Sequence, residues 1–148
     1  MMKEKFIQAY MKTAFVFAEL STAEKMKVGS IVVKDHRIIS IGYNGTPSGW
    51  SNVCEDKIEN PDTGEIELKT KPIVSHSESN ALLKLARSHE SALDATLFIT
   101  HSPCINCAKM IYQAGISTVY YSIEYRSTDG IEFLKKCNIP VHQVKETQ

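Results

Sequence analysis

From Thr96 to Gln143 the chain alternates strand-like and helix-like segments, and this alternation restricts the available folds more than any other feature. Thr96 to Thr100 reads as a strand, Ile105 to Ala114 as a helix, Ser117 to Ser122 as a strand, Gly130 to Cys137 as a helix and Ile139 to Gln143 as a last strand. Strands joined through single helices run parallel, and a parallel sheet is stable only with helices packed over both of its faces. The fold class is therefore α/β.

The first half follows another pattern. Apolar residues at Ile7, Tyr10, Met11, Ala14, Phe17 and Ala18 lie on one face of a helix running from Lys3 to Leu20. Val28 to Val33 and Ile38 to Tyr43 are β-branched runs, and the polar link Lys34-Asp35-His36-Arg37 is short enough to turn a hairpin. Between Asn44 and Ser75, Gly, Pro, Asn and Asp are too frequent for a long element, although Pro61-Asp62-Thr63-Gly64 is placed to turn a small hairpin of its own. A segment of this kind inside a domain is commonly functional. Beyond it, Ala81, Leu82, Leu85 and Ala86 mark a further helix.

With 148 residues the chain can bury a core without disulfides, so one globular unit over residues 1–148 is expected. Lys plus Arg number 17 and Asp plus Glu number 17, which leaves no excess positive charge to hold a polyphosphate strand. A long nucleic acid is not an expected partner. The N-terminal residues contain no apolar run suited to a secretory signal or a membrane span, so the expectation is a cytoplasmic protein with no membrane partner. In that setting a close cysteine pair reads as a metal or redox site, and Cys54 and Cys137 as free thiols.

The close pair is Cys104 and Cys107 in Pro103-Cys104-Ile105-Asn106-Cys107, and Cys104 lies 28 residues after His76 of His76-Ser77-Glu78. Taken separately, each piece has an ordinary explanation: Ser75 and Glu78 are spaced as a helix capping box, Ser102 and Pro103 suit the start of another helix, and Cys-x-x-Cys could be a redox pair. Taken together they supply one imidazole, two thiolates and a carboxylate at the starts of helices. Sulfur and imidazole donors select zinc, and three protein ligands leave a fourth position for water, as in catalytic sites. Helix N-termini favour the thiolate form of both cysteines. Zinc lowers the pKa of a water toward about 7. Glu78, two residues after the His ligand, is then the candidate general base and general acid. His-x-Glu with Pro-Cys-x-x-Cys is the signature of zinc deaminases, which replace the amine of a nucleobase by oxygen.

Around these residues the chain resembles the cytidine deaminase superfamily and, within it, the deoxycytidylate (dCMP) deaminases. The resemblance extends through Val28-Gly29-Ser30-Ile31-Val32-Val33, Gly42-Tyr43-Asn44-Gly45-Thr46-Pro47, Cys54-Glu55, His76-Ser77-Glu78-Ser79-Asn80-Ala81, Ser102 to Lys109 and Ala114-Gly115-Ile116. It implies a three-layer αβα sandwich around a five-stranded mixed sheet. It also implies hydrolysis of dCMP to dUMP, with one Zn2+ per chain on His76, Cys104 and Cys107. Asn44 is then expected to bond the deoxyribose, Tyr125 to gate the site, Ser102 to line it, and Arg126 or the pair Lys25 and Lys27 to meet the phosphate. Gly42, Tyr43 and Gly45 belong to a loop that many dCMP deaminases use for activation by dCTP and inhibition by dTTP, in homohexamers.

Two departures from the family pattern bear on these expectations. Ser77 stands where Ala is usual, and Ala23 stands where some members have a cysteine for a second zinc. The remaining alternatives are the same chemistry on guanine, a riboflavin precursor, a nucleoside or tRNA adenosine, or a zinc-stabilised module that binds a nucleotide without turning it over.

Overall fold

The structure is a computed structural model and describes residues 2–146. Helix α1, Glu4–Ala18, buries Ile7, Met11, Ala14 and Ala18, which recur at helical spacing along one face. Strands β1, Gly29–Lys34, and β2, Arg37–Tyr43, form the expected hairpin. Lys34 pairs with Arg37, so the turn narrows to Asp35 and His36, with φ of 51° and 59°. Two successive left-handed residues define a type I′ turn, whose twist matches that of the strands it joins.

The punctuated segment contains the small hairpin, with β3 at Glu55–Glu59 and β4 at Ile66–Thr70. These strands pair antiparallel with each other as a sheet of their own. The remaining elements are α2 (Ser77–Ala86), β5 (Thr96–His101), α3 (Ile105–Gln113), β6 (Thr118–Ile123), α4 (Asp129–Lys136) and β7 (Val141–Gln143). The last strand begins two residues later than the sequence pattern suggests. Asn138, at φ 62°, closes α4, and Pro140 has no N–H to give a ladder.

The main sheet has five strands in the order β2-β1-β5-β6-β7. β1 runs antiparallel to β2 and β5, whereas β5, β6 and β7 run parallel. Alternate residues on each strand face opposite layers. Ile31, Val33, Phe98 and Tyr120 pack with Ile7, Met11 and Ala14 of α1. Val32, Leu97, Ile99 and Val119 pack on the other face with Ala81, Leu82, Ala108, Ile111 and Leu134 from α2, α3 and α4. This is the α/β three-layer αβα sandwich with a five-stranded mixed sheet. Phe98, Ile31, Leu97 and Ile99 are fully buried, and each contributes about 1.5–3 kcal/mol by leaving water. Among the described residues no helix is long and apolar enough to cross a membrane.

Gly42 sets how closely β2 approaches α2. A Cβ there would lie 2.1 Å from the Ser77 carbonyl oxygen and 2.7 Å from the Ala81 nitrogen, both of them backbone atoms. Gly42→Ala is therefore expected to push α2 off the sheet and to lower the unfolding free energy by about 1–3 kcal/mol or more, as other overpacked cores do. Urea denaturation checks it, and a stability within about 0.5 kcal/mol of wild type would contradict it.

Candidate active site

Two helices start at one place. α2 begins at Ser77 with His76 as its N-cap, and α3 begins at Ile105 with Cys104 as its N-cap. Neither start is the one the cap patterns suggest. Ser75 is held extended by backbone bonds to Gly45 in both directions, at 3.1 and 2.9 Å, so it does not cap α2. Ser102 donates its N–H to the Ile123 carbonyl at 2.9 Å, and its hydroxyl accepts the Tyr125 N–H at 2.7 Å. It ties β5 to the end of β6, and the cap passes to Cys104, whose Sγ accepts the Cys107 N–H at 3.4 Å.

The ligating atoms of His76, Cys104 and Cys107 all lie within 4.8 Å of one another. His76 Nδ1 is 3.3 Å from Cys107 Sγ and 3.6 Å from Cys104 Sγ. A tetrahedral zinc with ordinary Zn–N and Zn–S bonds separates nitrogen from sulfur by about 3.5 Å, so both the donor set and its spacing fit that ion. The charge state fits as well. Hydrogen bonding from the Cys107 thiol, followed by that from His76, holds Cys104 down to about 3. The same contact with Cys104 pushes Cys107 up, helped by burial and by Glu78. A cation bound between the two sulfurs displaces the remaining thiol proton.

Glu78 is buried beneath this cluster, 4 % exposed. Burial raises its pKa above the ordinary carboxylate value, partly offset by Ser77, whose hydroxyl donates to Glu78 Oε1 at 2.6 Å. A carboxyl that burial makes a weaker acid than usual, and that a neighbouring hydroxyl still supports as a carboxylate, suits a group that must act as both acid and base. The Ser77 bond was not legible in the sequence, where Ser77 reads only as a small spacer.

Glu78, His76 and Cys104 line a cavity of about 360 Å³, with Cys107 buried behind them. Its wall includes Asn44, Ser102, Lys25, Tyr125 and Arg126, five of the expected substrate residues, whereas Lys27 lies outside it. The Asn44 amide accepts from the Val28 N–H at 2.9 Å and donates to the Met26 carbonyl at 2.8 Å, which fixes the strand entry beside the cavity. Arg126 donates to the Tyr125 hydroxyl at 3.1 Å and lies over its ring. Gly42 is packed under α2, while Tyr43 and Gly45 line a second cavity with Thr46, Pro47 and Lys84. Ala23 and Cys54 line the first cavity, and Cys54 is a free, buried thiol, as is the half-buried Cys137 a free one.

The sequence reading did not single out His101, Lys69 or Thr70 as part of this wall. Lys69 and Thr70 belong to the β3–β4 arm, and no periodicity or motif indicates which way such an arm folds. Glu55, quoted above only as part of the resemblance, is buried and accepts the N–H groups of Glu24 and Lys25 at 3.0 Å each, anchoring the segment that carries Lys25. For His101 a signal existed: it ends a parallel strand, where α/β sheets place their ligands.

A three-layer sandwich with an imidazole, two thiolates and a buried glutamate at converging helix starts is the architecture of a zinc-dependent nucleobase deaminase. Residues 4–123 match the family described as the cytidine and deoxycytidylate deaminase zinc-binding region. The chain belongs to that family and carries one zinc site, which the His76, Cys104 and Cys107 cluster fits. It is similar to the dCMP deaminase of cyanophage S-TIM5, solved with dCMP and dUMP, at 48 % identity and a TM-score of 0.86, covering 97 % of this chain and 100 % of that one. It is 35 % identical over 120 residues to the deoxycytidylate deaminase of Mycobacterium phage D29, 78 % of this chain and 92 % of the relative. It is 33 % identical to the deoxycytidylate deaminase of Saccharomyces cerevisiae over 100 % of its own length, yet spans only 47 % of that relative.

The burial of Glu78 has a measurable consequence for the zinc-free protein. Its folded pKa lies above the reference value of 4.5, so ionisation costs the folded state: its contribution is most favourable below that value and is lost as pH rises through the folded pKa. With a chelator present, Glu78→Gln is expected to be as stable as wild type at low pH and more stable at neutral pH, by chemical denaturation. A gap that does not change with pH would contradict this.

Proposed function

We propose that this chain hydrolyses dCMP to dUMP and ammonia. The observation that carries the reading is the placement of buried Glu78 beside the His76, Cys104 and Cys107 cluster, in a cavity whose wall also bears Lys25, Lys69 and Arg126. Zinc, when bound by the trio, supplies Lewis-acid activation of water for attack at C4 of cytosine. Glu78 Oε would accept one proton of the attacking water and give it to the ring nitrogen. It would then take the proton left on the added hydroxyl and give it to the departing amine, which leaves as ammonia while the C4–oxygen bond becomes the carbonyl. Ser77 holds one carboxylate oxygen, which leaves the other to face the reacting atoms. Asn44 and Ser102 shape the sugar end, and Tyr125 gates the entrance beside Arg126.

The cations support a nucleotide over a nucleoside. A monophosphate is nearly dianionic at neutral pH, and moving it out of bulk water needs charged partners. Arg126 and Lys25 are the expected partners on the wall, with Lys69 added by the structure. The second cavity, with Tyr43 and Gly45 in its lining, supports regulation by dCTP as activator and dTTP as inhibitor. A cytoplasmic homohexamer acting on free nucleotides as one catalytic unit, without long nucleic acid, completes the reading.

Ammonia release from dCMP, deoxycytidine, dCTP and guanine by zinc-loaded protein tests the assignment directly. Glu78→Ala is expected to retain zinc and fold while losing on the order of 10²–10⁴-fold in kcat. Full turnover in that variant, or equal efficiency of wild type on deoxycytidine and dCMP, would overturn the reading.

Arg126→Ala addresses the phosphate separately. It is expected to lower kcat/KM for dCMP roughly ten-fold and to leave the weak deoxycytidine reaction almost unchanged. Equal loss on both substrates would assign Arg126 to the architecture of the site and not to the phosphate.

A further inference from the structure

His101 is the last residue of β5 and lines the cavity, yet it stands outside the ligating trio. The bond on its other side fixes what it can offer. His101 Nδ1 lies 2.8 Å from Thr100 Oγ1. Thr100 is fully buried, and its oxygen already accepts the Gly29 N–H at 3.1 Å. A hydroxyl has one hydrogen, and a buried one finds an acceptor. Among the described residues the acceptor within bonding distance of that hydrogen is His101 Nδ1. The chain of donors therefore runs from Gly29 N–H to Thr100 oxygen, and from Thr100 O–H to His101 Nδ1. The ring proton must then sit on Nε2. Burial also disfavours the charged imidazolium, so the ring is neutral, with one N–H directed by a bond anchored in the main sheet.

Resting on the dCMP reading above, we propose that His101 is a substrate-positioning residue that donates its Nε2–H to an uncharged oxygen of the bound nucleotide, the base carbonyl or a sugar oxygen. The acceptor class follows from the division of labour on the wall. The charged donors Lys25, Lys69 and Arg126 are exposed and suit the phosphate, whereas His101 is half-buried and neutral. A neutral donor held rigidly by β1 and β5 adds orientation where a cation would add charge.

The tautomer can be read without turnover. Nitrogen-15 NMR of histidine-labelled, zinc-loaded protein at neutral pH is expected to show His101 protonated on Nε2 and bare on Nδ1, with the signal assigned by its loss in His101→Gln. A ring protonated on Nδ1, or on both nitrogens, overturns the proposal. In turnover, His101→Gln places an amide N–H near the position of Nε2 and is expected to keep kcat/KM for dCMP within about three-fold, while His101→Leu loses about five- to ten-fold, mostly in KM. Equal loss in both variants, or none in His101→Leu, overturns it. The 2′,3′-dideoxy analogue of dCMP separates the acceptors: the difference between wild type and His101→Leu disappears with the analogue if the 3′-oxygen receives the bond, and persists if the base carbonyl or the sugar ring oxygen does. Wild type without any dCMP turnover would defeat the substrate assignment and this proposal together, whereas dCMP turnover with the wrong tautomer defeats this proposal alone.

Discussion

The structure depends on the meeting of two helix N-termini over the sheet. His76 and Cys104 each cap a helix, and the first turn of α3 adds Cys107, so three soft ligands come from two short segments far apart in sequence. Local sequence alone does not produce this meeting. It requires β5 to lie beside β1 and α2 to sit close against β2, which in turn requires Gly42 to present no side chain to the Ser77 carbonyl. A second close approach supports the other layer: a Cβ on Gly29 would fall 2.2 Å from the Ala14 carbonyl oxygen of α1. The ligand geometry is thus set by backbone contacts between layers more than by the ligands themselves.

Burial then does two jobs at the same centre. It excludes water from Glu78, raising the cost of its charge, and it leaves two thiols close enough to compete for one proton. The buried Glu78 charge is unfavourable to a folded chain by itself, and a divalent cation beside it relieves that cost. Folding and metal binding are coupled through this centre, since the folded chain brings the three ligands together and the ion displaces their remaining protons.

The architecture was legible in the sequence because period and punctuation are local properties. The alternation after Thr96 gave the parallel half of the sheet, and the β-branched runs around Asp35 and His36 gave the hairpin. The zinc trio and Glu78 were legible because side-chain chemistry and spacing agree. Other features depended on long-range geometry. The helix starts moved because Ser75 and Ser102 are committed to distant backbone partners, Gly45 for one and Ile123 with Tyr125 for the other. Lys27 lies off the cavity while Lys69 lies on it, since alternation along a strand says nothing about which side an isolated arm turns.

That arm separates two kinds of change open to the protein. Strands β3 and β4 satisfy their ladder with each other, and only the end near Glu55, Lys69 and Thr70 reaches the cavity. Its far tip, Asn60 to Gly64, is exposed and closes on itself, with Gly64 donating to the Asn60 carbonyl at 2.8 Å. Lengthening or rewriting the tip leaves the register of the main sheet and the spacing of the metal ligands untouched, whereas a one-residue slip of β4 at the base would exchange the sides to which Lys69 and Thr70 turn. Selection can therefore remodel the outer surface of this protein and the face it offers the nucleotide as separate variables, encoded at opposite ends of one hairpin.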